Sequence, residues 1–277
     1  MTIAVTGSNG AIGTHLVQQL QQRGADVVGL TRKDGAYSET STLAESLLGI
    51  STLFLVSARE SANRLAEHIS AVDAAIAAGV KHIVYLSFYG AAADCAFTFG
   101  RDHFHTEQHI RASGLQFTFL RDNFYQGILP SFADAHGVIR GPGGDGKLSA
   151  VSNRDVVDVA ATVLLDADNH GTSYRDSTFH LTGPTNLTLD QIAETLTEVS
   201  GRAVRYERET VDEAYASRAH YNAPAFEVDG WVSTYTAIAL GECAGVSLDV
   251  MAITGRKPQS FASYLAENPA SWAHLRA

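Results

Sequence analysis

The chain has 277 residues, 45% of them hydrophobic and 18% charged, with a formal net charge of -10. That length supports one large α/β unit with a smaller appended region and a substantial core, while the acidic balance argues against nucleic acid as a partner. No apolar stretch is long enough to cross a bilayer, and Cys95 and Cys243 lack metal-type spacing, so they read as reduced thiols in a cytoplasmic protein.

Ile3-Ala4-Val5 is a short buried strand, and because structure begins at residue 2 no signal peptide is expected. Gly7-Ser8-Asn9-Gly10-Ala11-Ile12-Gly13 follows at once, and Ile12, Leu16, Val17 and Leu20 then recur at helical spacing. Glycines at 7, 10 and 13 allow a sharp turn, close approach of a ligand to the backbone, and tight packing of helix on strand. The free N–H groups and positive dipole end of that helix favour a diphosphate. Residues 26–31 form a second strand ending in Arg32-Lys33, where a basic pair suits the 2′-phosphate of NADP better than the 2′-hydroxyl of NAD.

Between Lys33 and the helical pattern Leu43, Leu47, Leu48 there is no room for both a helix and a full third strand. The sheet edge that normally flanks adenine is therefore expected to be trimmed. Thr52 to Val56 is the next strand, with Ser57-Ala58-Arg59 as its turn, and a long helix covers Ala62 to Ala78. Strand His82 to Leu86 opens into Ser87-Phe88-Tyr89-Gly90, and a helix runs from about Asp102 to Ala112. Strand Phe117 to Leu120 opens into Arg121-Asp122-Asn123-Phe124-Tyr125. Strands alternating with helices imply a Rossmann-type, doubly wound parallel sheet, whose ligands sit at the carboxyl ends of the strands. After Pro130, the run Gly141-Pro142-Gly143-Gly144-Asp145-Gly146 reads as a flexible loop at the crevice mouth. Beyond it come a helix over Val156 to Leu165, a strand at Phe179 to Leu181 and a helix over Leu189 to Val199 capped by Thr188. Val204-Arg205-Tyr206 and short helices near Glu213 and Phe261 complete a smaller C-terminal α/β lid region. The division expected is 1–130 for the dinucleotide-binding domain and 131–277 for the substrate lobe, with returns to the main sheet.

The Tyr-x-x-x-Lys pair of many short-chain reductases is absent: lysines at 33, 81, 147 and 257 follow Gly29, Ala77, Gly143 and Ile253 by four positions. Carbonyl reduction needs a placed proton donor, whereas a quinone, azo compound or cationic dye spreads the incoming charge and takes its proton from water. The absence shifts weight toward conjugated acceptors. His105 and His109, one helical turn apart beside Glu107, lack a third ligand with clear spacing, so no metal is expected; His103, near the crevice, either faces substrate or is a plain exposed or satisfied histidine. Phe88, Tyr89, Phe124 and Tyr125 fall on crevice turns, where they either stack on a flat substrate or cover the sheet edge under the lid.

The segments Gly7 to Gly13, Thr31-Arg32 and Gly79-Val80-Lys81-His82-Ile83-Val84-Tyr85 resemble the NmrA-like atypical short-chain dehydrogenases. His103-x-x-Thr106-Glu107, Leu120 to Tyr125 and Gly144-Asp145-Gly146-Lys147 narrow the resemblance to members that reduce quinones or triphenylmethane dyes. Gln108 stands where related sequences can carry lysine. The resemblance implies a bilobal Rossmann protein that prefers NADP(H) to NAD(H). Gly7, Ser8, Asn9, Gly10, Ala11, Ile12 and Gly13 would hold the diphosphate, Arg32 the 2′-phosphate, and Val56, Ser57, Ser87 and Phe88 the ribose and nicotinamide. Tyr89 and His103 would be catalytic, with Tyr89, Asn123, Phe124 and Tyr125 facing a small planar organic acceptor. The family also contains nucleotide sensors that bind NAD(P) without turnover, the competing function; assembly as a homodimer is a further expectation.

Overall fold

The computed structural model describes residues 2–169 and 171–276. In chain order its elements are β1 (Ile3–Thr6), α1 (Ala11–Gln22), β2 (Val27–Leu30), α2 (Thr40–Ser46), β3 (Thr52–Leu55), α3 (Arg64–Ala78), β4 (His82–Phe88), α4 (Thr98–Ala112) and β5 (Gln116–Asp122). There follow β6 (Val138–Gly141), β7 (Lys147–Leu148), α5 (Asn153–Asp168), β8 (Ser177–Leu181), β9 (Leu187–Thr188), α6 (Leu189–Ser200) and β10 (Arg205–Arg208). The chain ends with α7 (Val211–Arg218), α8 (Ala225–Ala239), α9 (Asp249–Thr254) and α10 (Phe261–Glu267). Among the described residues no helix is long and apolar enough to cross a membrane.

The main sheet is six-stranded, parallel throughout, in the order β2-β1-β3-β4-β5-β8. Alternation along each strand sends side chains to two cores. Ile3, Val5, Phe54, Val84, Leu86 and Leu120 meet Leu16 and Leu20 of α1 and Val156, Val159 and Val163 of α5. Ala4, Leu53, Leu55, Ile83, Tyr85 and Phe119 meet Leu43 of α2, Val72 and Ala75 of α3 and Ile110 of α4. Such two-sided burial is what a parallel sheet requires, and it explains why the strands read as unbroken apolar runs.

The trimmed edge is real. β2 is outermost and pairs only with β1, while β3 crosses to the other side of β1. In place of an outer strand the chain makes a tight return at Gly35, where φ is +146 and an added Cβ would lie 2.7 Å from Leu43 Cα. Tyr37 then anchors the segment across the strand ends, its hydroxyl bonding Thr6 Oγ1 (2.6 Å) and the Val56 carbonyl oxygen (2.7 Å).

A third core joins the ends of β4 and β5 to the C-terminal region. Phe88, Phe97, Phe99 and Phe124 pack with Ile139, Leu148, Leu189, Ile192, Tyr235, Ile238 and Phe261. Here the 141–146 segment departs from expectation. Gly141 closes β6, which pairs in parallel with β10, and Gly141, Pro142 and Gly143 are buried. A Cβ on Gly141 would lie 2.4 Å from the Tyr235 ring, and one on Gly146 would lie 2.0 Å from the Ile238 carbonyl oxygen. These glycines let backbone press against α8; they do not form a loose loop over the crevice. Helix α8 itself escaped the sequence reading because AFEVDGWVSTYTAIA has no polar face to give it a period.

Candidate functional site

The glycine turn is built for close approach. Gly7 has a φ of +61, and a Cβ on Gly13 would lie 2.3 Å from the Gly7 carbonyl oxygen. Gly10 caps α1 without a side-chain bond, and no acidic residue occupies the first turn, so the helix N-terminus stays open to an anion. The Ser8 hydroxyl is spent internally, donating to the Leu30 carbonyl (3.1 Å). Asn9, Gly10 and Ala11 are exposed, whereas Ile12 and Gly13 are buried against the strands.

A cleft of about 300 Å³ opens between this turn, the end of β2 and the end of β3. Gly7, Asn9, Gly10, Arg32, Tyr37, Val56, Ser57, Ala58, Arg59 and Glu67 are among its lining residues. Arg32 and Arg59 are exposed, and neither has a hydrogen bond or ion pair among the described residues. Asp34 is turned to other use: it accepts from the Thr31 N–H and hydroxyl, both at 2.8 Å. The Thr31 backbone donor is the main reason its carboxyl sits below the usual range. Thus the acid after β2 closes a turn, and two unpaired cations face the cleft.

The cleft wall is fixed from behind. The Ala58 N–H donates to His68 Nε2 (2.8 Å), and Arg64 Nε donates to the Ala58 carbonyl (3.0 Å). Arg64 also reaches the Phe99 carbonyl (3.2 Å), His103 Nε2 (2.8 Å) and Asp102 (3.5 Å). An amide and a guanidinium can only donate, so Nε2 of both histidines accepts and the neutral rings carry hydrogen on Nδ1. His103 Nδ1 then donates to the Tyr85 hydroxyl (2.8 Å), and His68 Nδ1 to Thr106 Oγ1 (2.9 Å). Burial, reinforced by the Arg64 charge, holds both histidines well below their ordinary pKa. His103, selected for substrate contact, is 6% exposed and belongs to this network behind the cleft. His109 lies apart, on Asp73 (2.7 Å), so the three helix histidines do not converge.

At the ends of β4 and β5 the selected residues are mostly buried. Ser87 donates to Glu107 Oε1 (2.6 Å), and Arg121 forks onto the same carboxylate at 2.8 and 2.6 Å. Phe88 packs on Phe97 and Phe124, with ring centroids 4.9 and 5.1 Å apart. Asn123 Nδ2 donates to Ser149 Oγ (3.1 Å) and the Cys243 carbonyl (2.9 Å). Tyr89 and Tyr125 are half-buried. The Tyr89 hydroxyl donates to the Ala244 carbonyl (3.0 Å), and Tyr125 donates to Asp122. Burial pushes the Asp122 carboxyl up to about 8, against the pull of the Tyr125 hydroxyl.

The structure therefore gathers Gly7, Asn9, Gly10, Arg32, Val56 and Ser57 around one cleft and sets Phe88, Phe124 and His103 in packed surroundings. Sequence reasoning passed over Tyr37, Arg59 and Asp122. Arg59 had a usable signal, a cation in the turn that follows a buried strand; Asp122 stood beside the residues chosen and was read only as part of the turn.

The model of the NmrA-like family matches residues 33–227. The chain belongs to the NmrA-like family. Quinone oxidoreductase 2 of Escherichia coli is 31% identical over 225 residues, 74% of this chain and 77% of that protein. The NAD(P)H azoreductase of Xenophilus azovorans is 28% identical over 288 residues, 98% of this NmrA-like chain and 99% of its relative. Among solved structures, the E. coli NADPH-dependent quinone oxidoreductase QOR2 complexed with NADPH superimposes with a TM-score of 0.86 at 26% identity, covering 96% and 99% of the two chains. Citrobacter sp. triphenylmethane reductase gives a TM-score of 0.81 at 25% identity with the same coverage.

Proposed function

We propose that this NmrA-like protein is an NAD(P)H-dependent oxidoreductase that transfers hydride to a conjugated acceptor of the quinone, azo or dye class, with NADPH preferred to NADH. The observation that carries the reading is the cleft itself. An uncapped helix start and a glycine turn too tight for a Cβ meet two unpaired arginines, and the nearby carboxylate is withdrawn into a turn. These residues suit a dinucleotide: the turn takes the diphosphate, and Arg32 takes the 2′-phosphate through charge-assisted hydrogen bonds. Bound there, reduced nicotinamide supplies the hydride. Arg64 and His68 hold the Ala58 peptide so that the cleft wall keeps its shape, and the C-terminal elements packed on Phe88 and Phe124 would cover the acceptor side.

The relatives support the reading because the azoreductase aligns over almost the whole of both chains. The proposal places the protein in the cytoplasm, with both cysteines free and buried, and assembled as a homodimer that sedimentation would detect. A second reading, a nucleotide sensor without turnover, draws on one observation: Phe88 and Phe124 are packed into a core and present no open ring face to an acceptor. NADPH oxidation measured against quinones, azo dyes and simple aldehydes decides between them. Quinones or dyes should react far faster than aldehydes. Tight NADPH binding with no oxidation by any acceptor would establish the sensor.

A further inference from the structure

We infer that Asp122 and Tyr125 form a proton relay, in which the buried Asp122 carboxylic acid resupplies the Tyr125 hydroxyl as that hydroxyl protonates the reduced acceptor. The inference rests on the hydride-transfer reading above and adds the acid that the missing Tyr-x-x-x-Lys pair left unassigned.

Asp122 is the last residue of β5, in register with Phe88 at the end of β4, at the carboxyl edge of the sheet where ligands of such folds lie. Strand alternation puts its side chain on the same face as Leu120, in the half of the molecule that holds α1 and Val56. Tyr125 packs against that same apolar cluster and is partly open. Among the described residues Tyr125 is the only side chain bonded to the Asp122 carboxyl. Among the described residues no cation pairs with it, and the Arg64 charge acts on it without a direct bond. Arg64 is committed to Ala58, Phe99, His103 and Asp102, and Arg121 points to the other face and forks onto Glu107. Burial holds His103 neutral behind β4, and it lowers His180 on β8, whose ring packs on Tyr89 at 5.2 Å. A carboxyl taken out of water without a counter-ion keeps its proton. The elevation of Asp122 into the neutral range agrees.

The step balances simply. Hydride addition to a neutral quinone or azo acceptor leaves an anion one proton short; a cationic dye is neutralised by the hydride and does not call on the relay. The hydrogen bond between the pair first reverses: the Tyr125 hydroxyl, which donates to Asp122 at rest, turns to the acceptor and accepts from the Asp122 carboxylic acid. Its O–H bond then breaks as the acceptor gains O–H or N–H, and the Asp122 O–H bond breaks as the phenol is restored. Water then reprotonates the carboxylate.

The test uses the full chain with NADPH and 1,4-benzoquinone, comparing wild type, Asp122→Asn and Tyr125→Phe. In wild type, kcat should fall on the alkaline side of about pH 8. Asp122→Asn should lose that limb and run roughly tenfold or more slower, in the range expected for a lost acid. Tyr125→Phe should lose the limb as well, with the NADPH dissociation constant unchanged in both variants. Infrared difference spectra of the cofactor-free proteins supply a readout without turnover: a carboxylic-acid carbonyl band at neutral pH in wild type, missing in Asp122→Asn. No such band, or an unchanged alkaline limb in an active Asp122→Asn, overturns the relay alone. A wild type that shows the band yet reduces no acceptor overturns the hydride-transfer reading, and the relay falls with it.

Discussion

Replacing Asp122 by Asn should change how stability depends on pH. Burial raises the carboxyl from 3.8 to about 8 in the folded protein, so between those values the folded state holds a proton that the unfolded chain has released. Stability therefore falls as pH rises through this window, by about 1.4 kcal/mol per pH unit. From about pH 5 to about pH 7 the loss from this one group is about 3 kcal/mol. Asn keeps the shape and accepts the Tyr125 hydrogen bond but has no proton to hold, so its profile lacks this slope. His68 and His103 act in the opposite sense: their depressed values mean stability is lost as pH drops below about 6.5. Both proteins share that limb, and it cancels in the difference between them. Urea unfolding of each protein at several pH values gives the comparison. Asp122→Asn should gain on wild type steadily with rising pH and level off near pH 8. Parallel profiles would refute the account, because they would show that Asp122 ionises alike in folded and unfolded chains.

Gly13→Ala, with its Cβ directed to within 2.3 Å of the Gly7 oxygen, should cost about 1–3 kcal/mol of stability by chemical denaturation. Gly10→Ala meets that oxygen only at 3.2 Å and should be tolerated by the fold. Arg32→Ala should weaken NADPH about ten- to a hundredfold in calorimetry and leave NADH within a few fold, the loss expected for hydrogen bonds to a charged phosphate. Arg59→Ala should weaken NADPH several-fold at low salt and progressively less as ionic strength rises, since an exposed cation acts through a screened field. Tyr89→Phe should retain most turnover, because its hydroxyl is bonded to the Ala244 carbonyl and not aimed at an acceptor; abolished turnover would make Tyr89 an acid.

The sheet was legible because parallel strands buried on both faces leave apolar runs, and the glycine turn because its spacing is local. The trimmed edge was legible by length alone: too few residues separate Lys33 from Leu43 to make a strand and a helix. His103 was misplaced for a physical reason. Its partners Arg64 and Tyr85 come from α3 and β4, so nothing near it in sequence shows that a polar helix face is buried and satisfied. The 141–146 segment failed in the reverse direction, since glycine looks the same in sequence whether it frees the backbone or lets another helix come close.

The outermost position of β2 bears on time as much as on affinity. With no strand beyond it, that side of the cleft is lined by the short 35–38 return, so a dinucleotide bound there would meet a rim with fewer contacts than a full sheet edge gives. Contacts that are missing from that rim shorten the stay of a dinucleotide without touching the chemistry at its far end. An oxidoreductase must exchange spent cofactor for fresh at every turnover, so a rim built from a short return in place of a strand would put the release step on the fast side. Turnover would then follow the ratio of reduced to oxidised dinucleotide in its surroundings closely, with little memory held in the protein.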